Sequence, residues 1–288
     1  MRPHFRTGAP GLTMTGTQIK RTGRSILFYA GVVALCVPPL FVFVWMILTG
    51  LKTGVQNISY PPEFVFVPTL DNFRAVFQQY NFFRYLMNSL VIATLATGTS
   101  LLLGLPAAYS IAKYRQGKIG ILILVARMMP FVSYLLPWYI IFRYLKLIDT
   151  YTALTITHLI ITMPMVIWLM VSFFESMPSE LEDAAMIDGC SRWQSFIRIV
   201  LPLMRNGIAT SAIMAFIFSW NQFLFSLILS GPTTKTVPVA VYNFISYGKI
   251  DWAGIGAAAT LIVLPVTVFA FFVRKSIVEG LTMGALKD

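Results

Sequence analysis

The chain has 288 residues, of which 57% are hydrophobic and 11% are charged. The charged share is less than half that of an ordinary soluble domain, and the hydrophobic residues form long blocks, so the composition argues against a soluble globular protein. The formal net charge is +11, but Lys and Arg lie in short segments between the blocks instead of on one face, which argues against nucleic-acid binding.

A membrane-spanning helix needs about 20 largely apolar residues. Six segments meet this requirement and predict an all-α integral membrane protein with six transmembrane helices: 25–48, 87–112, 119–142, 152–174, 207–230 and 252–273. They define a six-span domain, residues 25–274, between an N-terminal tail, residues 1–24, expected to be poorly ordered, and a C-terminal tail, residues 275–288. The loop between the fourth and fifth spans covers about residues 178–205.

The distribution of basic residues predicts the orientation of the spans. With the N-terminus inside the cell, fourteen Lys and Arg residues lie in the cytoplasmic segments and seven lie on the opposite side. Cytoplasmic loops of membrane proteins carry the excess of Lys and Arg. Both termini, and the loop between the fourth and fifth spans, are therefore predicted to be cytoplasmic.

The loop between the fourth and fifth spans has the pattern of two short helices joined by a tight turn. Ser179 and Glu182 have the spacing of a capping box at the start of the first helix, and Gly189 has the position of a left-handed stop. Ser191 and Gln194 repeat the capping spacing for a second, amphipathic helix. This pattern predicts a helix-turn-helix knob in the cytoplasm, although on spacing alone an amphipathic helix lying in the bilayer interface would also fit.

The same loop resembles the EAA loop of binding-protein-dependent ABC importers. The family pattern Glu-Ala-Ala, two residues, Asp-Gly, and a later Leu-Pro stands here as residues 183–189 followed by Leu201-Pro202, with Asp183 in place of the usual Glu. The resemblance implies that the loop docks on a cytoplasmic ATPase subunit and transmits its movement. The residues expected to carry this coupling are Glu182, Asp183, Ala184, Ala185, Asp188, Gly189, Phe196, Leu201 and Pro202.

Residues 25–288 are similar, more narrowly, to carbohydrate-uptake permeases related to the second membrane subunit of the maltose importer. The matching stretches are 50–53, 68–73, 88–90, 107–110, 219–223 and 279–287. The resemblance implies the fold of a type I ABC importer permease in a bacterial inner membrane. It also implies three kinds of partner: a second homologous permease, a cytoplasmic ATPase dimer that binds ATP and Mg²⁺, and an extracytoplasmic solute-binding protein.

Polar and aromatic residues within the spans are candidates for the solute pathway. A polar group in hydrocarbon costs free energy, so the few that are present usually have a function or a hydrogen-bond partner. Asn221 and Gln222 lie in the predicted fifth span beside Trp220, and Tyr134 and Trp138 lie four residues apart in the third. Amides and aromatic rings together suit a sugar. The amides would equally suit hydrogen bonds between helices, and the aromatic pair would equally suit the aromatic belt of the membrane interface.

Two other function classes are less consistent with the sequence. The chain has no Gly-x-x-x-x-Gly-Lys-[Ser/Thr] phosphate loop, so we expect a transport subunit that is not itself an enzyme, binds no cofactor or metal, and depends on ATP hydrolysis elsewhere. An ion-coupled secondary transporter is the alternative. None of the six spans contains Asp or Glu, so that alternative would depend on His158; Arg127, in the third span, is expected to reach the headgroups.

Overall fold

A computed structural model describes the backbone of residues 16–130, 132–246 and 249–285, and the side chains of residues 25, 27–130, 132–242, 244–245, 250–268 and 271. Its helices are α1 (Gly16–Leu51), α2 (Gly54–Ile58), α3 (Asp71–Gln79), α4 (Phe82–Lys113), α5 (Gly117–Met128), α6 (Val132–Tyr144), α7 (Tyr151–Glu175), α8 (Glu180–Ile187), α9 (Arg192–Ser195), α10 (Leu201–Leu203), α11 (Arg205–Trp220), α12 (Leu224–Leu229), α13 (Val237–Ala240) and α14 (Trp252–Ala285). A π-helical turn, Phe196–Val200, lies between α9 and α10, and a 3₁₀ turn, Val241–Phe244, follows α13. Two short antiparallel strands, β1 (Ile245–Ser246) and β2 (Lys249–Ile250), complete the fold.

Within these ranges, each predicted span coincides with an apolar helix or with a broken pair of helices. The Leu27–Leu51 part of α1, α4 and α7 are each long and apolar enough to cross a membrane. The pair α5–α6 is bent by 88°, and the segment Arg192–Leu203 meets α11 at 78°. The continuous part of α14 whose side chains are described, Trp252–Val268, is a shorter apolar helix. Two predicted tails overlap helices, because α1 begins at Gly16 and α14 ends at Ala285; residues 1–15 and 286–288 lie outside the described residues.

The predicted third span, residues 119–142, is two helices and not one. The break follows Met129, whose backbone is extended (φ −64°, ψ 135°). Pro130 explains this conformation, because the proline ring disfavours helical geometry in the residue before it. The sequence prediction therefore gave the apolar extent of this span but not its division into two helices.

The predicted fifth span, residues 207–230, is also broken, between α11 and α12. The side-chain amide of Asn221 donates to the Ile217 carbonyl at 2.9 Å, and the Gln222 Oε1 atom accepts from the Leu224 N–H at 3.1 Å. The Ile217 carbonyl also keeps its helical bond from the Asn221 N–H, whereas Gln222 takes the Leu224 N–H that a continuous helix would use, so one helix ends and another begins at this point. Here too the sequence prediction located the apolar segment but not its break.

The core of the molecule is the packing of α4, α7 and α11. Ala108 of α4, Val166 and Met170 of α7, and Ala215 of α11 are buried together. Short polar side chains also join the helices, since the Ser100 and Thr162 hydroxyl groups are 2.6 Å apart and fully buried. Polar contacts of this kind are common between helices in a membrane, where water cannot satisfy them.

The helix α1 lies outside this core and packs against α14. Its large apolar side chains, including Leu27, Leu35 and Phe41, are exposed in the isolated chain. An apolar surface that extends along a whole helix would be unfavourable in water and is the surface expected of a helix that contacts lipid.

Two glycines allow the close contact between α1 and α14. A Cβ atom on Gly256 would lie 2.7 Å from the Gly50 backbone nitrogen, and one on Gly50 would lie 2.9 Å from the Ala257 nitrogen. Small residues permit this approach of helix backbones.

Gly256→Val should therefore force α1 and α14 apart and lower the free energy of unfolding by about 2 kcal/mol, a usual cost of overpacking. Thermal unfolding of the detergent-solubilised protein measures this loss. Gly98→Val is the matched control, because Gly98 lies inside α4 and a Cβ atom on it would meet no atom within 4 Å. Equal unfolding temperatures for the two variants would contradict the close-contact interpretation.

Candidate functional site

The loop between the fourth and fifth predicted spans folds into a knob, residues 180–203, that contains α8, α9, the π-helical turn and α10. The turn between α8 and α9 contains Gly189 with φ +89°, in the left-handed region that favours glycine. The backbone N–H of Gly189 donates to the Met186 carbonyl at 3.1 Å, which closes the C-terminal end of α8. The predicted glycine stop is therefore present.

The two predicted capping boxes have different outcomes. At α9 both bonds form: the Ser191 N–H donates to Gln194 Oε1 at 2.8 Å, and the Gln194 N–H donates to Ser191 Oγ at 3.3 Å. At α8 the Ser179 side chain makes no capping hydrogen bond. The prediction for Ser179 and Glu182 was therefore wrong, because Glu182 is used elsewhere.

Glu182 anchors the knob to the end of α4. Its carboxylate accepts hydrogen bonds from the Lys113 ammonium group and the Tyr109 hydroxyl group, and the residue is only 5% exposed. The Lys113 Nζ atom also lies 3.3 Å from the Tyr109 hydroxyl oxygen. Glu182 therefore faces its own subunit and joins the knob to the second predicted span.

Tyr109 is the side chain at which several segments meet. Its ring centroid lies 5.8 Å from that of Phe174 at the end of α7 and 4.8 Å from that of Phe196 in the π-helical turn. The rings of Trp193 and Phe196 are 5.4 Å apart. The packed rings therefore connect the knob to both α4 and α7.

The predicted coupling residues divide by exposure. The exposed ones, available to a partner, are Asp183, Ala184, Asp188, Gly189 and Pro202. Ala185 and Phe196 are buried like Glu182, and Leu201 is half-buried. The buried ones hold the shape of the knob, and the exposed ones form its outer surface with two carboxylates.

Five large apolar residues on the outer surface of the knob were not predicted as coupling residues: Leu181, Ile187, Trp193, Ile197 and Leu203. Ile187 is 86% exposed, Trp193 is 59% exposed and Leu181 is 45% exposed. Trp193 shares the apolar face of the predicted amphipathic helix with Phe196 and Val200, and of these three only Phe196 and Val200 are buried. The sequence could have indicated that Ile187 is exposed, because Ile187 directly precedes the turn at Asp188–Gly189.

Tyr134 and Trp138, two predicted pathway residues, lie in α6. The Tyr134 hydroxyl group donates to the Met129 carbonyl at 3.0 Å and lies 3.2 Å from the Ala126 carbonyl, so it ties α6 to the end of α5. The Trp138 ring stacks on Phe142 with centroids 5.1 Å apart. Their role in solute transport stays a prediction.

The other three predicted pathway residues have different environments. Trp220 is buried, and its indole N–H donates to the Ile262 carbonyl at 3.2 Å, so it packs α11 against α14. Gln222 is buried as well, whereas Asn221 is exposed. Asn221 is therefore the member of this trio that a solute could reach directly in this conformation.

His158 joins helices. It is buried in α7, with Nδ1 2.7 Å from the Ser219 hydroxyl oxygen and Nε2 3.3 Å from that of Ser226. These contacts occupy both ring nitrogens and connect α7 to α11 and α12. The guanidinium carbon of Arg127 lies 5.5 Å from the centre of the Phe218 ring, so this arginine also contacts the neighbouring helix.

At the opposite end of α4, Asn88 organises the loop after α12. Its amide group donates to the carbonyl oxygens of Thr233 and Lys235 at 3.0 and 2.9 Å, and its Oδ1 atom accepts from the Tyr151 hydroxyl group at 2.6 Å. The stretch 88–90, noted above for its resemblance, is therefore structural.

Asp149 holds the same loop from the α6–α7 connection. Its carboxylate accepts from the backbone N–H groups of Gly231, Thr233 and Thr234 at 2.9, 3.1 and 2.8 Å, and from the Thr234 hydroxyl group at 2.7 Å. Burial of the Asp149 carboxylate opposes its ionisation, but the hydrogen bonds from Thr233 and Thr234 outweigh this effect and hold its pKa well below the ordinary value.

Asp149→Asn should lower the free energy of unfolding by about 2 kcal/mol at neutral pH, because it removes hydrogen bonds to a charged group. Since the folded-state pKa is lowered, the stabilisation is complete above the ordinary carboxyl pKa of about 4 and is lost as the pH falls below it. Thermal unfolding at several pH values should show the wild type and the variant converging in acid. The control is Asp71→Asn, which removes an exposed ion pair to Arg74 and should change little.

Comparison with known proteins gives a consistent result. Residues 100–282 match the family described as binding-protein-dependent transport system inner membrane component. The probable ABC transporter permease protein y4oR of Sinorhizobium fredii is 40% identical over 93% of this chain and 97% of its own. The sulfoquinovosyl glycerol transport system permease protein SmoH of Agrobacterium fabrum is 35% identical over 97% and 98% of the two chains. The trehalose/maltose transport system permease protein MalG of Thermococcus litoralis is 32% identical over 92% and 97%.

A solved structure has the same fold. It is a chain of a bacterial ABC transporter involved in the import of the acidic polysaccharide alginate, and it superposes with a TM-score of 0.72 over 91% of this chain and 98% of its own. The sequence identity is 20%, so this likeness concerns the fold.

Proposed function

The chain belongs to the family of inner-membrane components of binding-protein-dependent transport systems, and from this premise we propose that it is the permease subunit of an ATP-driven carbohydrate importer. It is a multi-pass inner-membrane transport subunit by family. The carbohydrate class is supported by the relatives named above whose descriptions specify a sugar or a sugar derivative. The proposal extends to that class and not to a particular solute.

The observation that supports this proposal is the composition of the outer surface of the knob. Its outer surface combines two exposed carboxylates, Asp183 and Asp188, with the exposed apolar side chains of Ile187 and Trp193. An apolar patch rimmed by charge is typical of a protein-binding surface. We propose that a cytoplasmic ATPase subunit covers this surface, and that ATP and Mg²⁺ bind to that partner.

The bonds between Glu182 and the end of α4 couple the knob to the membrane-spanning helices. Glu182 is bonded to Lys113 and Tyr109, so a movement of the docked knob is passed to α4 and α7 rather than absorbed by a loose loop. In the proposed cycle, closure of an ATPase dimer moves the knob, and the spans alternate between inward-facing and outward-facing states. A second homologous permease completes the pathway, and a solute-binding protein delivers the carbohydrate from outside.

The proposed orientation places the knob and both termini in the cytoplasm. The two-to-one excess of Lys and Arg on the side of the knob supports it. The loops tied together by Asp149 and Asn88 then lie outside the cytoplasm, because they are at the other end of α4.

The ion-coupled alternative is weakened by His158. That alternative needs a titratable group in the spans that a coupling ion can reach. His158 is buried and both ring nitrogens contact serine hydroxyl groups, so its contacts are those of a helix-bridging residue.

Reconstituted uptake tests the proposal. The chain is co-expressed with a second permease, an ATPase and a solute-binding protein from the same genome, the complex is placed in liposomes, and uptake of labelled oligosaccharides is followed. We expect uptake only with internal ATP and the binding protein, and none when the ATPase carries a substitution in its phosphate loop. Uptake driven by a proton or sodium gradient without ATP would contradict the proposal.

A further inference from the structure

A cavity of about 670 Å³ opens at the end of α4 that is remote from the knob. Its lining includes Asn81 and Arg84 at the start of α4, together with Pro232 and Lys235 from the loop after α12. The α4 helix has 32 residues and therefore spans about 48 Å at 1.5 Å per residue. The cavity is thus at the extracytoplasmic face in the orientation proposed above.

The cavity is basic. Arg84 and Lys235 both line it, and none of its described lining residues is Asp or Glu. The nearby carboxylate of Asp149 is already engaged by the backbone of the loop that carries Lys235. The lining therefore presents net positive charge to whatever enters.

Further basic residues extend this surface beyond the cavity. Arg143 and Lys146 are exposed in the segment that leads to Asp149. Because Asp149 binds Gly231 and Thr234, this segment lies at the same end of the molecule as the cavity. Around the cavity, the external face therefore carries four of its basic side chains, which come from three segments of the chain.

The lining also has the composition of a protein-binding pocket. Tyr85 and Tyr242 lie in its wall beside Arg84, and the Lys235 ammonium group lies 5.9 Å from the centre of the Tyr85 ring. Tyr and Arg are the residues most enriched at the energetic centres of protein interfaces. The cavity is larger than a single carboxylate side chain requires, and its size suits a protruding loop.

We propose that this basic cavity, lined by Arg84, Lys235, Tyr85 and Tyr242, receives an acidic loop of the solute-binding protein. The inference rests on the proposed function, which supplies an extracytoplasmic protein partner, and on charge complementarity, which selects its chemistry. Opposite charges steer association and determine the register of docking. An Asp or Glu on the loop pairs with Arg84 or Lys235, and the tyrosine rings contact the apolar part of the loop.

The test measures the affinity of the binding protein for the importer complex in nanodiscs at low and high ionic strength. The Arg84→Gln/Lys235→Gln double variant should weaken the Kd about tenfold at low ionic strength and should remove most of its salt dependence. Arg74→Gln is the matched control, because Arg74 is an exposed external arginine paired with Asp71 and does not line the cavity. It should leave both the Kd and the salt dependence unchanged.

Charge reversal distinguishes docking from a general loss of structure. Arg84→Glu should weaken docking more than Arg84→Gln, and one Asp or Glu→Lys substitution on the binding protein should restore it. Equal affinities for the wild type and the double variant would overturn the inference. An effect that appears only when the binding protein carries an acidic saccharide would also overturn it, since the cavity would then bind the solute. If the wild-type complex bound no binding protein at any ionic strength, the proposed function itself would fail.

Discussion

Gly189→Val is expected to reduce ATP-driven uptake about tenfold, because a β-branched residue in the left-handed region costs about 1–2 kcal/mol and each 1.4 kcal/mol corresponds to a factor of ten. Gly189 has φ +89°, and a Cβ atom there would meet no atom within 4 Å. The cost is therefore conformational strain alone, and the turn relieves it by changing the angle between α8 and α9. The measurement is uptake per ATP hydrolysed in proteoliposomes.

Two other variants make the Gly189 result specific. Gly117→Val places the same side chain at the start of α5, where a Cβ also meets no atom within 4 Å and the backbone has no left-handed φ; it should transport normally. Gly189→Asn should retain most of the activity, because asparagine tolerates the left-handed region. All three variants should insert in the membrane. Normal coupled transport by Gly189→Val would show that the shape of the turn does not matter.

Lys113→Met is expected to lower the free energy of unfolding by about 3 kcal/mol, the usual cost of leaving one member of a buried ion pair without its partner. The side chain of Glu182 is 6% exposed and that of Lys113 is 23% exposed, so solvent screens this pair weakly. The knob should also become loosely attached to α4, so that ATP hydrolysis continues with less uptake. Thermal unfolding and the ratio of uptake to hydrolysis measure the two effects.

A double-mutant cycle isolates the Lys113–Glu182 interaction. Lys113→Met combined with Glu182→Gln leaves no buried charge and should recover most of the lost stability. Lys118→Met is the matched control, since Lys118 is exposed in the first turn of α5. Additive effects of the two single substitutions on the free energy of unfolding would contradict a stabilising interaction between Lys113 and Glu182. Recovery of stability without recovery of uptake would show that the charge pair itself is required for coupling.

Within the knob, local turns and helix caps could be predicted from the sequence, whereas contacts with distant segments could not. The Gly189 stop and the Ser191–Gln194 capping box were predictable, because each depends on residues within one helical turn. The role of Glu182 was not predictable in this way, since its partner Lys113 lies 69 residues earlier in the chain. The three-residue spacing predicted that Glu182 pairs with Ser179. In the structure Glu182 binds Lys113 of α4 instead.

The same contrast applies to the spans. Hydropathy located all the apolar segments but could not show that two of them are broken. Pro130 signalled the first break. The second is accompanied by side-chain bonds of Asn221 and Gln222 to the backbone of nearby residues, whereas the sequence suggested contacts with a solute or with another helix.

The sequence by itself determined the membrane environment, the approximate spans, the predicted orientation and the glycine turn of the knob, because hydrophobicity, charge and helix ends are properties of short segments. Only the tertiary structure decided which polar groups face a partner and which hold the molecule together. Glu182 binds α4, Asp149 binds a loop more than 80 residues away, and Gly256 contacts Gly50. Such pairs form because helix packing brings distant segments within hydrogen-bonding or van der Waals distance, and no local pattern encodes which segments those are.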